Sequence, residues 1–181
     1  PIPLLPIHIL WINLVTDGLP GLALAFEPEE EQVMQRPPRP PNESVFARGM
    51  WQHIIWCGLL MGLVCIATQA WAISTGRTQT WQTMVFTVRT LSQMGHVLAT
   101  RSDFAPMVSA TFLDHRALLG AVALTFALQL AVIYTPALNA LFETVPLSAA
   151  ELAICIALST IVAAAVELEK WLVRNSQIYR R

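Results

Sequence analysis

The stretch Leu10-Trp11-Ile12-Asn13-Leu14-Val15-Thr16-Asp17-Gly18-Leu19-Pro20-Gly21 sets an amide, a hydroxyl and a carboxylate inside a run, Leu4 to Phe26, that is otherwise apolar and long enough to cross a bilayer. On a helix Asn13, Thr16 and Asp17 stand at i, i+3 and i+4, so their oxygens leave from one face. Gly18, Pro20 and Gly21 follow at once. Proline removes a backbone donor and glycine loosens the helix, which predicts an interrupted span with carbonyls near Asp17 released from the ladder. An all-oxygen cluster on an interrupted helix suits a hard cation. The competing reading is structural: Asn and Thr hydrogen-bond neighbouring membrane helices, and glycine or proline marks close packing. Asp17 weighs against it, because a carboxylate near mid-membrane costs about 2.5 to 3.5 kcal/mol even on lenient insertion scales.

Composition places the whole chain in a membrane. Hydrophobic residues make up 55% and charged residues only 13%, against about 25% charged in soluble domains, and the mean hydropathy is +0.53. The net charge of -1 says nothing about partners, and no nucleic-acid partner is expected. Cys57, Cys65 and Cys155 all fall in apolar runs without paired metal-ligand spacing. They read as small packing residues, neither disulfides nor metal ligands. No signal peptide is recognisable, and the start at Pro1 without an initiator Met suggests a piece of something longer.

An all-α membrane protein, a bundle of five transmembrane helices, is expected. The apolar runs are about 4–26, 49–74, 81–100, 117–135 and 148–172. Between the first two, residues 27–48 turn polar, with Glu27, Glu29, Glu30 and Glu31 followed by Arg36-Pro37-Pro38-Arg39-Pro40-Pro41. Prolines at that density forbid a regular helix and predict an extended connector. Gly76 and Arg77 make a short turn, residues 101–116 form a second polar connector, and Pro136 to Leu147 reads as a loop. Arg36, Arg39, Arg48, Arg101, Arg116, Lys170, Arg174, Arg180 and Arg181 all fall on one side if five helices alternate. The positive-inside bias makes that side cytoplasmic, together with both connectors and the C-terminus.

The third span carries Arg89, Gln93 and His96 along one face, which a helix surrounded by lipid would not. Arg89 either pairs with groups on another helix or serves an ion path. Gln93 offers a neutral oxygen to a cation. His96, a lone histidine, reads as a packing or hydrogen-bonding residue, and His8 as an interfacial one. With no thiolate or histidine pair in the pattern, the donors favour calcium, magnesium or manganese over zinc or copper.

Trp11 to Pro20, continuing through Ala23-Leu24-Ala25-Phe26-Glu27-Pro28, resembles the sixth transmembrane helix of P-type cation-transporting ATPases of the calcium-pump group. Met34-Gln35-Arg36-Pro37-Pro38-Arg39 is similar to their basic, proline-rich connector. Phe86-Thr87, Leu91-Ser92-Gln93 and His96 resemble the eighth helix of bacterial members. Glu167, Lys170, Trp171 and Arg174-Asn175 look like the end of the tenth. The similarity runs in order over essentially the whole chain, and implies the C-terminal membrane region, helices six to ten, of such a pump in a bacterial plasma membrane.

The resemblance implies that Asn13 and Asp17 ligate the transported cation and that Thr16 matches a ligand of the second ion site in two-calcium pumps. Gln93 stands where those pumps have a glutamate and single-ion pumps have glutamine. Arg89 departs from the pattern, an aliphatic residue being usual there. The implied cargo is Ca2+, with Mn2+ second. Mg2+ and ATP would enter only through domains whose Asp-Lys-Thr-Gly-Thr and Thr-Gly-Glu motifs this chain lacks, so it cannot hydrolyse ATP by itself. The implied partners are membrane lipid and the N-terminal part of the pump, helices one to five with the cytoplasmic domains. Read without the resemblance, the chain fits a stand-alone five-helix protein that binds ions, or a scaffold whose polar groups only bridge helices.

Overall fold

The computed structural model describes residues 2–26, 40, 44, 50–100 and 116–176. Apart from Pro40, Ser44 and Arg116, the two polar connectors lie outside the described residues, as do Arg180 and Arg181. The described elements are helical, with no strand among them.

The first span is built of α1 (Pro6–Trp11), a π-helical turn (Ile12–Asp17) and α2 (Gly18–Ala25). The remaining helices are α3 (Met50–Ser74), α4 (Trp81–Thr100), α5 (Arg116–Tyr134), α6 (Pro136–Phe142) and α7 (Ala149–Ser176). Four stretches, Pro6–Ala25, Met50–Ser74, Arg116–Tyr134 and Ala149–Val173, are long and apolar enough to cross a membrane. Helix α4 is the fifth of the bundle. Its 20 residues reach about 30 Å at 1.5 Å per residue, but it is too polar to face lipid. It does not have to: twelve of those 20 residues are buried, against α7, α3, α5 and the π turn.

Stripes of buried side chains explain the arrangement. On α3, Cys57, Met61, Val64, Thr68 and Ala72 recur every three or four residues and are buried, whereas Leu59, Leu63 and Ile66 point outward. Helix α7 buries Cys155, Ser159, Val162 and Val166 at the same spacing. Such stripes are the packing faces of neighbouring helices. A Cβ placed on Gly95 of α4 would come within 3.2 Å of the Ala163 Cβ on α7, so glycine is what lets these two helices approach. Buried threonines satisfy their hydroxyls locally: Thr68 donates to the Val64 carbonyl, Thr87 to that of Thr83 and Thr125 to that of Ala121.

The segment expected to be a loop after the fourth span contains a short helix. Pro136 forces Thr135 out of helical geometry, to φ -92 and ψ 119, and then serves as first residue of α6. The α5 carbonyls this leaves open are satisfied by side chains: the Asn139 amide donates to the oxygens of Val132 and Ile133, and the Thr144 hydroxyl to Val132. Glu143 ends α6 at a left-handed φ of 52. Helix α7 starts with a capping box in which the Ser148 N–H donates to Glu151 Oε2 at 2.9 Å and the Glu151 N–H to Ser148 Oγ at 3.3 Å. Thr80 and Arg77, beyond the Gly76 turn, also contact Glu151, so the α3–α4 hairpin is pinned to the start of α7.

Candidate cation site

The first span and α4 run side by side in the same direction. Near one end the His8 ring stacks on Phe86 at 4.3 Å; toward the other, Ala23, Val97 and Leu118 share one apolar cluster. The π turn, between these contacts, therefore lies against the middle of α4, where Arg89, Thr90, Ser92 and Gln93 are found. His8 is wholly buried and hydrogen-bonded through Nε2 to the Phe142 carbonyl at 2.7 Å, so it anchors the outer end of the first span to the bundle. Trp11 secures the same span to α5, its indole N–H donating to Gln129 Oε1 at 3.1 Å.

The irregularity in this span lies one turn earlier than its glycines and proline. Gly18 to Ala25 remain α-helical, and residues 12–17 form the π turn. Pro20 accounts for this. It offers no N–H to the Thr16 carbonyl and its ring crowds that oxygen, and the chain relieves the crowding by widening ahead of it. Single π turns inside α-helices occur often at functional sites. A Cβ on Gly18 would meet only the Asn13 carbonyl oxygen at an ordinary 3.7 Å, and one on Gly21 would meet nothing within 4 Å. Tight helix packing does not demand either glycine.

The widened turn also alters which residues share a face. Thr16 is fully buried and Asp17 partly so, while Asn13, expected beside them, is exposed. The i, i+3, i+4 rule assumes 3.6 residues per turn, and a π turn breaks that register. Thr16 Oγ1 and Asp17 Oδ1 are buried without a hydrogen-bond partner among the described residues, as are Thr90 Oγ1 and Ser92 Oγ on α4. Buried side-chain oxygens are seldom left unsatisfied. Two of these, Thr16 Oγ1 and Asp17 Oδ1, are adjacent on the π turn, where their acceptor capacity is unspent. Arg89 exerts a Coulombic pull on Asp17, and its Nη1 donates to Gln93 Oε1 at 2.8 Å, so the Gln93 oxygen is held by the guanidinium.

Residues 1–172 match the protein family described as Cation transporting ATPase, C-terminus. The chain belongs to this family. It is 39% identical over 165 residues to a Calcium-transporting ATPase of Bacillus subtilis (strain 168), covering 89% of the chain and 18% of that protein. A Calcium-transporting ATPase 1 of Yarrowia lipolytica is 32% identical over 176 residues, 96% of the chain and 19% of its own length. An endoplasmic reticulum-type Calcium-transporting ATPase 3 of Arabidopsis thaliana is 29% identical over 205 residues, 97% and 20% respectively. The chain thus spans about a fifth of the length of the curated relatives it matches.

A second polar cluster of this family member escaped the sequence reading. His53 and Cys57 on α3 and His96 on α4 bring one ligand atom each to within 4.8 Å of one another. His53 Nδ1 lies 2.6 Å from Glu169 Oε2 on α7, and the Trp56 indole N–H donates to Glu169 Oε1 at 3.0 Å. The His53 and His96 Nε2 atoms are 3.3 Å apart. A histidine pair is therefore present, contrary to expectation, because α3 and α4 supply one member each and chain spacing does not reveal it. The available signal was His53 and Cys57 at i, i+4.

Proposed function

We propose that the chain is the membrane part of an ATP-driven cation pump, that calcium is the transported substrate, and that Asp17 is its central ligand here, with Thr16, Asn13 and Gln93 as further oxygen donors. The observation that supports this reading best is the pair of unpartnered buried oxygens, Thr16 Oγ1 and Asp17 Oδ1, at a π turn packed on a polar helix. Family membership and the names of the relatives supply the substrate class. Calcium takes six to eight oxygens; these four residues offer about half that number. Asn13 on the outer surface would complete its site with groups contributed by the rest of the pump, and manganese suits the same hard donors.

Arg89 gives this reading its charge balance. With the site empty, the guanidinium holds the Gln93 oxygen and lends a positive charge to the surroundings of Asp17; with calcium bound, Gln93 turns from Arg89 to the ion. A fixed cation beside the site favours one metal per cycle over two. ATP and Mg2+ would act through catalytic domains outside this chain, and their phosphorylation would be felt here as a shift of helices that exposes Asp17 to alternate sides. The basic connectors and the C-terminus would face the cytoplasm of a bacterial plasma membrane.

The test is calcium-dependent phosphorylation from ATP in the whole pump carrying Asp17→Asn. The apparent calcium affinity should fall by at least about tenfold, since the substitution removes the one carboxylate of the set. Undiminished affinity would show that Asp17 is not a ligand.

A further inference from the structure

We propose that His53, Cys57 and His96 form a second metal site between α3 and α4, distinct from the calcium site and selective for a borderline-soft divalent ion of the zinc class, with Glu169 on α7 as its positioning residue. Nothing in the transport reading uses this cluster, and its chemistry is different: two imidazoles and a thiol against the all-oxygen set around Asp17. Imidazole and thiolate select zinc over calcium or magnesium.

The two histidines have the spacing of neighbouring ligands in a tetrahedral site. At metal–nitrogen distances of about 2.0 to 2.1 Å, two imidazole nitrogens on a tetrahedral zinc stand about 3.3 to 3.4 Å apart. The His53 and His96 Nε2 atoms are 3.3 Å apart. Cys57, one helical turn beyond His53, is free and buried, with its donor inside the 4.8 Å group.

Protonation is arranged for ligation as well. Glu169 receives the His53 Nδ1 hydrogen bond at 2.6 Å, which puts the ring proton on Nδ1 and leaves the Nε2 lone pair toward His96. A carboxylate behind a histidine in this way fixes its tautomer and raises its basicity as a ligand. Trp56 holds the other Glu169 oxygen at 3.0 Å, so the carboxylate is itself oriented. On binding, the metal accepts lone pairs from both Nε2 atoms and from the Cys57 sulfur, whose proton passes to solvent; the metal keeps its charge and no redox partner is needed. Three protein ligands leave the fourth position to water. The bound ion would clamp α3 to α4, with α7 behind them.

The experiment titrates the full chain in lipid nanodiscs with Co2+, a spectroscopic stand-in for Zn2+. The expected result is one ion per chain, with the strong visible bands of a tetrahedral site and a thiolate-to-metal charge-transfer band in the near ultraviolet, both abolished by excess Zn2+. Absence of the charge-transfer band from the unaltered chain would overturn the proposal without any variant having to fold. Cys57→Ser should remove that band, and His96→Ala should weaken binding by at least tenfold. Glu169→Gln should weaken it about ten- to a hundredfold while the spectral shape is kept, the signature of positioning rather than ligation. Asp17→Asn should leave the titration unchanged, so this proposal and the calcium site fail or survive separately. Co2+ spectra unaltered by Cys57→Ser would equally overturn the assignment.

Discussion

Arg89 Nη1 donates to the side-chain oxygen of Gln93 at 2.8 Å, one helical turn along α4, so the residue that departs from the family pattern is fastened to one that the pattern would make a ligand. If Gln93 serves calcium as proposed, the ion shares or displaces the guanidinium's hydrogen bond to that oxygen and must approach a fixed positive charge to do so. At an effective dielectric of about 20, a unit charge 10 Å from a divalent ion repels it by about 3 kcal/mol. Arg89→Leu in the whole pump should therefore raise the apparent calcium affinity by about tenfold or more, read from calcium-dependent phosphorylation. An unchanged affinity would mean that Arg89 only holds the bundle together.

Thr16 separates ligation from stability. Its hydroxyl is fully buried and lacks a hydrogen-bond partner among the described residues. Thr16→Val keeps the shape and deletes the unsatisfied group, which should leave thermal stability unchanged or raise it by about 1 kcal/mol. If the oxygen serves calcium, the same variant loses apparent affinity. Stability and affinity thus move in opposite directions, whereas a hydroxyl that bridges helices would lose stability on removal. Thermal unfolding in detergent beside the phosphorylation assay decides the matter.

Pro20 carries a related prediction. Pro20→Ala restores an N–H for the Thr16 carbonyl and removes the ring that crowds it, so the π turn should relax to regular α-helix. A proline inside a helix costs about 3 kcal/mol, and even a fraction of that recovered should raise the melting temperature. Transport should suffer, because straightening the turn rotates Thr16 and Asp17 relative to α4. A variant both more stable and fully active would show that the widened turn is not what places the carboxylate.

These predictions rest on what sequence could and could not disclose. The apolar runs disclosed the helices, because twenty apolar residues with few charges have one stable arrangement in lipid. Helix α4 was legible for the opposite reason: Arg89, Gln93 and His96 on one face told of enclosure by other helices, and the structure encloses it. Helix α6 was missed because Pro136 is both a terminator of α5 and a favourable first residue of a new helix, and composition does not choose between the two. Within the site, Thr16 and Asp17 were legible as polar groups in an apolar run. The exposure of Asn13 was not, because a π turn changes angular position without changing sequence spacing. The His53–His96 pair needed the third dimension altogether, its members being brought together by the packing of α3 on α4.

Gly95 offers the sharpest test of that packing. The α4–α7 contact closes over it, with a would-be Cβ only 3.2 Å from the Ala163 Cβ and the buried Val162 and Val166 on the same stretch of α7. Gly95→Val places two further methyl groups where one carbon is already tight. Overpacking of this kind costs about 1 to 3 kcal/mol, which outweighs the gain of roughly 0.3 to 0.5 kcal/mol in helix propensity from glycine to valine. The variant should therefore melt earlier than the unaltered chain. Ala163→Gly on the facing helix should return part of the loss, although alone it destabilises by about 1 kcal/mol through its own helix propensity. A double-mutant cycle yielding a positive coupling between the two positions would establish that they touch in the membrane. Additive effects would mean that α4 and α7 lie further apart there. His96 stands one residue beyond Gly95 on α4, so a helix pushed outward at Gly95 should also separate His96 from His53 and weaken Co2+ binding in parallel with the loss of stability.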